Sequence, residues 1–342
     1  MSPVSDGFTL QLSQGWNWTS HCLDMAIAPG DLSANATRIV GQNQEAYRTG
    51  KGMVGNLQSL EAGQLYKVQM TKADTYSSNA ALCRPNLPIM LLPGWNWIGY
   101  TAAGTQALNE ALADFTAEED DQLIGQDGFA TYSGGSWTGT LTSVEAGKGY
   151  MLYTKQAKTL SFHSPSLNVS MSRKGIKGKV AHSYGVDKYA HPNVMGIIGS
   201  LLWQGEPVEP GRFTLLAYTD GECRGAGKWV DDHVFLTTYG EGGETLQLMA
   251  VDELDGSVYT VCEQPMFSSG ISGSPKVPVE LNIGDVQPTG IDQTVLSAIS
   301  SSAVEGYYSL SGVRVAHRAA ALDKGAYIVK YQNGTVRKMY IK

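Results

Sequence analysis

A four-residue phrase written twice limits what this chain can be. Gly15-Trp16-Asn17-Trp18 returns 79 residues later as Gly94-Trp95-Asn96-Trp97. Further along, the two copies run in register at an offset of 84. Eleven of the 26 positions from Gly41 to Tyr66 then recur identically, among them Gly41/Gly125, Gln42/Gln126, Gly55/Gly139, Leu57/Leu141, Gly63/Gly147 and Tyr66/Tyr150. Unrelated stretches of average composition would share about one or two. A period of about 80 residues exceeds the roughly 20–50 of a solenoid unit, so the repeat describes two small tandem domains. The growth in offset from 79 to 84 gives the second copy five extra residues ahead of Gly125. Leu108, Leu112 and Phe115, with Ala107 and Ala111 beside them, share a helical face there, and Thr105 stands where a cap would.

Within each copy the strand signal is alternation. Phe8, Leu10 and Leu12 alternate with Thr9 and Gln11, and the same parity carries Trp16 and Trp18; Tyr66, Val68 and Met70 alternate with Lys67 and Gln69. Continuous parity predicts that Trp16, Trp18, Trp95 and Trp97 belong to the repeat cores, where each ring removes on the order of 150–250 Å² from water. The competing reading is a stacking platform for sugar rings built from these four and Trp137. Forty glycines, 17 tyrosines and few long helical periods predict an all-β chain.

A net charge of −7, with no basic run interleaved with aromatics, argues against nucleic acid as a partner. No stretch approaches the roughly 18 apolar residues of a transmembrane helix. Cys22, Cys83, Cys223 and Cys262 form no C-x-x-C and no His/Cys metal spacing, so neither zinc nor another cofactor is expected. They read either as two bridges, 22–83 and 223–262, each inside one domain, or as four buried thiols. Asp231-Asp232-His233 is the nearest approach to a catalytic cluster. Only its first and third residues could share a strand face, and no G-x-S-x-G elbow exists, so it reads as a loop before a strand. Glu118-Glu119-Asp120-Asp121 lacks the spaced aspartates of a calcium loop and reads as solvated, as do Asp252, Glu253 and Asp255. No enzyme is expected.

Beyond the repeats, Leu160 and Phe162 read as a last strand and Ser172 to Lys179 as a basic connector. From Val194 to Leu281, short strands separated by Gly/Asp turns describe an Ig-like β-sandwich. Residues 284–303 read as a linker. The tail forms strands again, with Asn333-Gly334 as a type I′ hairpin signal. The expected domains are 1–83, 84–168, 169–284 and 285–342, the last a small β-sandwich or hairpin domain, strung like beads.

Three pieces of the chain resemble modular secreted and surface proteins of Bacteroidetes bacteria. The first is Gly-Trp-Asn-Trp followed by Leu57 to Gly63, or in the second copy by Leu141 to Leu152. The second is the region with Ala217 to Gly225, Phe235-Leu236 and Asp255 to Tyr259. The third, Tyr308 to Val315 with Lys324 to Lys330 and a closing hairpin, is similar to a C-terminal sorting domain read by the type IX secretion system. The resemblance implies a secreted or outer-surface protein whose leader, missing from Met1 to Gly7, has been removed. It implies the secretion machinery as a partner of the tail. Modularity without a catalytic constellation, rather than the resemblance, points to a structural or adhesive role toward host or microbial glycans or surface proteins, and Trp16, Trp18, Trp95, Trp97 and Trp137 point to a carbohydrate-binding accessory role as the alternative.

Overall fold

The computed structural model describes residues 7–164, 184–284, 304–309, 314–316, 325–331 and 336–341. The basic connector, the linker from 285 onward and the Asn333-Gly334 turn lie outside them. Among the described residues the fold is all-β, and the two helices span four residues each.

The first repeat comprises β1 (Phe8–Leu12), β2 (Gly15–Thr19), β3 (Ala36–Val40), β4 (Glu45–Thr49), β5 (Gly52–Gly55), β6 (Tyr66–Met70) and β7 (Asp74–Ser78). Strands β2-β6-β3-β4-β5 form one sheet, while β1 pairs only with β7. The second repeat comprises β8 (Ile89–Leu91), β9 (Gly94–Gly99), β10 (Thr105–Ala107), β11 (Gln122–Gly125), β12 (Gly128–Ser133), β13 (Ser136–Gly139), β14 (Ser143–Glu145), β15 (Gly149–Thr154) and β16 (Lys158–Leu160). Its sheet, β9-β15-β11-β12-β13, and its β8-β16 pair reproduce the first repeat strand for strand. Strand β10 pairs with β14 and leads into a single helical turn at Leu108–Ala111; these match the Ile27–Leu60 bridge and the turn at Pro29–Leu32 of the first repeat, so the extra residues of this copy lie between Ala111 and β11. Thr105 lies in the strand and caps nothing; Ala107 precedes the turn without a side-chain cap. The apolar face read as helical is buried all the same, through Leu108, Ala111, Leu112 and Phe115.

The third domain comprises β17 (Asn193–Trp203), β18 (Glu206–Pro207), β19 (Phe213–Thr219), β20 (Glu222–Val230), β21 (His233–Gly240), β22 (Gln247–Asp252), β23 (Val258–Thr260), β24 (Gly270–Ser272) and β25 (Val279–Ile283). An Ig-like sandwich keeps two sheets apart, whereas these strands form one sheet. The 11-residue β17 bonds β21 antiparallel along one side and β24 and β25 parallel along the other. Its free ends then meet: Val261 bridges Ile283, Cys262 N–H donates to Asn282 O at 2.9 Å and Gly284 N–H to Thr260 O at 2.8 Å. The sheet closes around Ile197, Phe213, Leu215, Leu236, Leu248 and Leu281.

The tail forms a four-stranded sheet, β27-β26-β28-β29, from β26 (Val304–Tyr308), β27 (Arg314–Ala316), β28 (Gly325–Tyr331) and β29 (Val336–Ile341). Buried Tyr307 donates its hydroxyl hydrogen to Leu254 O of the third domain.

Among the described residues no sheet mixes strands from two domains, yet the domains are not separate beads. One apolar cluster joins Trp18, Leu65, Ile124, Phe129 and Met151 of the repeats to Val194, Ile198, Phe235 and Tyr239 of the third domain, with Phe129 stacked on Phe235 at 5.4 Å. The outer face of β17 and β21 is therefore covered by the repeats.

Candidate functional site at the repeat junction

The duplicated phrase builds a hairpin corner first. Gly15 and Gly94 sit at φ +92° and +100°, where a side chain is disfavoured. Asn17 accepts from Ser13 N–H at 2.8 Å and donates to Ser13 O at 2.8 Å, while Asn96 accepts from Leu92 N–H at 2.9 Å and donates to Leu92 O at 2.8 Å. Each asparagine thus closes the loop ahead of its own strand, replacing two backbone bonds. This loop resets the alternation, and β1 and β2 belong to different sheets, so the parity carried by Phe8, Leu10 and Leu12 does not extend to the tryptophans. None of the four duplicated tryptophans is in its repeat's own core cluster. Trp16 and Trp18 are buried, and Trp95 and Trp97 half-buried, at the junction of the domains. Trp137 does lie in the second core, edge-on to Tyr132 at 5.6 Å. Buried rings offer no stacking platform, so of the five only Trp95 and Trp97 retain partial access.

The repeats meet about a pseudo-twofold axis, through the duplicated glutamine. Gln126 of the second repeat accepts from Trp18 N–H at 2.9 Å and donates to Trp16 O at 2.7 Å. Gln42 of the first repeat does the same in return, accepting from Trp97 N–H at 2.9 Å and donating to Trp95 O at 2.9 Å. Each amide satisfies one outward-facing donor and acceptor on the free edge of the other repeat, as an isologous contact requires. Near the axis Lys67 has its ammonium 4.4 Å from the Trp18 ring and 4.5 Å from the Trp97 ring, and donates to Asn193 Oδ1 at 2.8 Å. Alternation points Lys67 away from its repeat core, as read, but into the junction rather than into water. Desolvation pushes its amine down to about 7, while the two indole faces act in the opposite sense. Its counterpart in the second repeat is Met151.

The two sides of the axis differ in what covers them. Ahead of β17, an arm from Asp187 to Asn193 lies along β2. Trp16 N–H donates to Tyr189 O at 2.7 Å, Gln126 Nε2–H to Lys188 O at 3.0 Å and Trp18 Nε1–H to Pro192 O at 2.8 Å. The Lys188 ammonium pairs with Asp127. Beside this arm a cavity of 120 Å³ remains, lined by Trp18, Gln126, Asp127 and Tyr150. The equivalent cleft on the other side has 530 Å³ and is lined by Gln42, Asn43, Gln44, Gln64, Met90 and Trp97, with no charged side chain.

The remaining candidates are structural. Asp231 and Asp232 form the turn between β20 and β21, with Asp231 at φ +52°. His233 lies 3.3 Å from Ser200 Oγ through Nδ1 and 3.0 Å from Pro275 O through Nε2, and it lines neither cleft. The acidic run is tied by lysines: Asp120 to Lys155 at 3.1 Å, buried Asp121 to Lys158 at 3.1 Å and Glu119 to Lys276 at 2.9 Å. Hydrogen bonds from Ser133 and Lys276 hold the Glu119 carboxyl down at about 2. The run read as solvated is therefore ion-paired, and Glu119 joins the second repeat to the third domain. Asp252, also read as solvated, is buried and paired with Arg212 at 3.1 Å. Among the described residues no cluster of three or more His, Cys, Asp or Glu could hold a metal.

All four cysteines are thiols in the structure rather than two bridges, with Cys262 exposed. Cys22 and Cys83 are nevertheless neighbours, Cys83 N–H donating to Cys22 O at 2.8 Å, and burial pushes the Cys22 thiol up to about 11. Gln42, Gln126, Asn17, Asn96 and Lys67 are the junction residues that strand patterning in the sequence does not reveal. The signal for the first four is a polar side chain kept identical in both copies.

No helix among the described residues is long and apolar enough to cross a membrane. No family model matches the chain, and no curated protein does. Among solved structures, the TIE protein of Bacillus anthracis is similar at 9% identity and a TM-score of 0.18, over 100% of this chain and 73% of that one. Similarity at that level carries no assignment.

Proposed function

We propose that this chain is a non-enzymatic, exported cell-surface or secreted protein with a structural or adhesive role, its tail sheet serving as a sorting or anchoring module. The observation that carries the reading is the reciprocal Gln42/Gln126 clamp with its tryptophans: the duplicated motif serves to fix domains against one another. Domains joined by a shared apolar cluster and carrying an uncharged cleft suit display and contact. The resemblance of the tail to a sorting domain supports export. Protease treatment of intact cells expressing the chain with and without residues 304–342 tests this. Cleavage of the full chain and protection of the truncated one are expected; normal surface display of the truncated chain would refute the tail's role.

One observation favours a second reading, a carbohydrate-binding accessory protein. The 530 Å³ cleft combines a half-buried indole, Trp97, with the amides of Gln42, Asn43, Gln44 and Gln64, the donor and acceptor set that neutral sugars use. A glycan array with wild type and Trp97→Ala decides it: binding lost in the variant supports it, and an empty array removes it.

A further inference from the structure

The arm from Asp187 to Asn193 shows what a repeat edge accepts, and the pseudo-twofold places a second, unfilled version of that site opposite. On the covered side two donors hold consecutive carbonyls: Gln126 Nε2–H holds Lys188 O and Trp16 N–H holds Tyr189 O. Their counterparts are Gln42 and Trp95. A primary amide has two N–H donors; Gln126 directs them to Trp16 O and Lys188 O, whereas Gln42 gives one to Trp95 O. Trp97 N–H points away from β15 toward Gln42, and the two-residue period of a strand sends Trp95 N–H the same way. Among the described residues no acceptor meets it. The space agrees. A Cβ on Gly15 would strike the Tyr189 carbonyl, while one on Gly94 would meet nothing within 4 Å. Asn43 replaces the Asp127 that holds Lys188. Exposed Met90 and Leu92 stand where the first repeat has Gln11 and Ser13, so the rim is apolar as well as uncharged.

We propose that this open side binds a turn-forming peptide segment of a partner protein, folded as Asp187 to Ala190 is, where Ala190 N–H donates to Asp187 O at 3.2 Å, so that its consecutive backbone carbonyls are taken by Gln42 Nε2–H and Trp95 N–H, with an uncharged side chain over Asn43 and apolar ones toward Met90 and Leu92. The inference rests on the adhesive reading and gives it a contact chemistry. Backbone carbonyls supply affinity and the side chains beside them supply selection, without a strand ladder between the segment and the edge.

The test titrates the isotope-labelled full chain with two synthetic heptapeptides, one copying residues 187–193 and one with glutamine in place of Lys188. The neutral peptide is expected to shift the Trp95 amide and Gln42 side-chain amide resonances saturably, and more tightly than the lysine peptide. Gln42→Glu keeps the acceptor for Trp97 N–H and removes both donors, so it should weaken the neutral peptide by about tenfold. Asn43→Asp, at an exposed position, should reverse the preference and tighten the lysine peptide by about threefold. Three results would each overturn the proposal: no saturable shift with either peptide, a preference unmoved by Asn43→Asp, or maltohexaose shifting these resonances where the peptides do not. Failure of the titration alongside intact surface display would remove the peptide and leave the export reading standing.

Discussion

The two sides of the pseudo-twofold use the same residues in different surroundings, and their energies should differ accordingly. Trp18 is 2% exposed and seals three domains, whereas Trp97 is only half-buried. Duplicated sequence therefore does not mean duplicated stability, because the third domain docks on one side more than on the other. The largest expected effect separates the two rings. Trp18→Ala should cost about 3–5 kcal/mol in chemical denaturation, and Trp97→Ala about half of that. Equal losses would mean that the cover over the first repeat adds nothing.

The glutamines sharpen the same comparison at smaller scale. Gln126 is 5% exposed and its removal strands Trp18 N–H, Trp16 O and Lys188 O away from water. Gln42 is exposed, so water can replace it. Gln126→Ala should lower stability by about 3 kcal/mol and Gln42→Ala by about 0.5 kcal/mol. Denaturation midpoints of the two variants check this, and a Gln42→Ala loss as large as the other would show that the open cleft is drier than it looks.

Much of this architecture is legible in the sequence, and what is not has a physical reason. Alternation in Phe8 to Leu12 and in Tyr66 to Met70 locates β1 and β6 to the residue. The repeat gives the strand order of one sheet once the other is known. Alternation cannot cross Ser13 to Gly15, because a loop at positive φ resets which face a residue takes, and so it does not reveal that the tryptophans face the domain junction rather than the repeat cores. The glutamine clamp joins residues 108 and 55 positions apart. Pattern within a strand carries no information about pairings at that separation; only the identity of Gln42 and Gln126 marked them. The ion pairs of Glu119 and Asp252 escaped for the same reason, their partners Lys276 and Arg212 being remote in sequence.

Near the axis the comparison narrows to Lys67 against Met151, and pH separates them. The folded amine sits at about 7, below its ordinary 10.5. Between these values the unfolded chain binds more protons than the folded one, so the Lys67 contribution to stability rises with pH across that window and is flat below it. Lys67→Met, which installs the residue of the other repeat, should abolish the slope. Relative to this variant, the wild type should gain about 2 kcal/mol between pH 7 and pH 9. The variant should also match or exceed wild-type stability at pH 6, where an ammonium must be held out of water between two indoles. Parallel pH profiles for the two proteins would show instead that the Trp18 and Trp97 faces, with Asn193, fully replace the solvation that Lys67 loses.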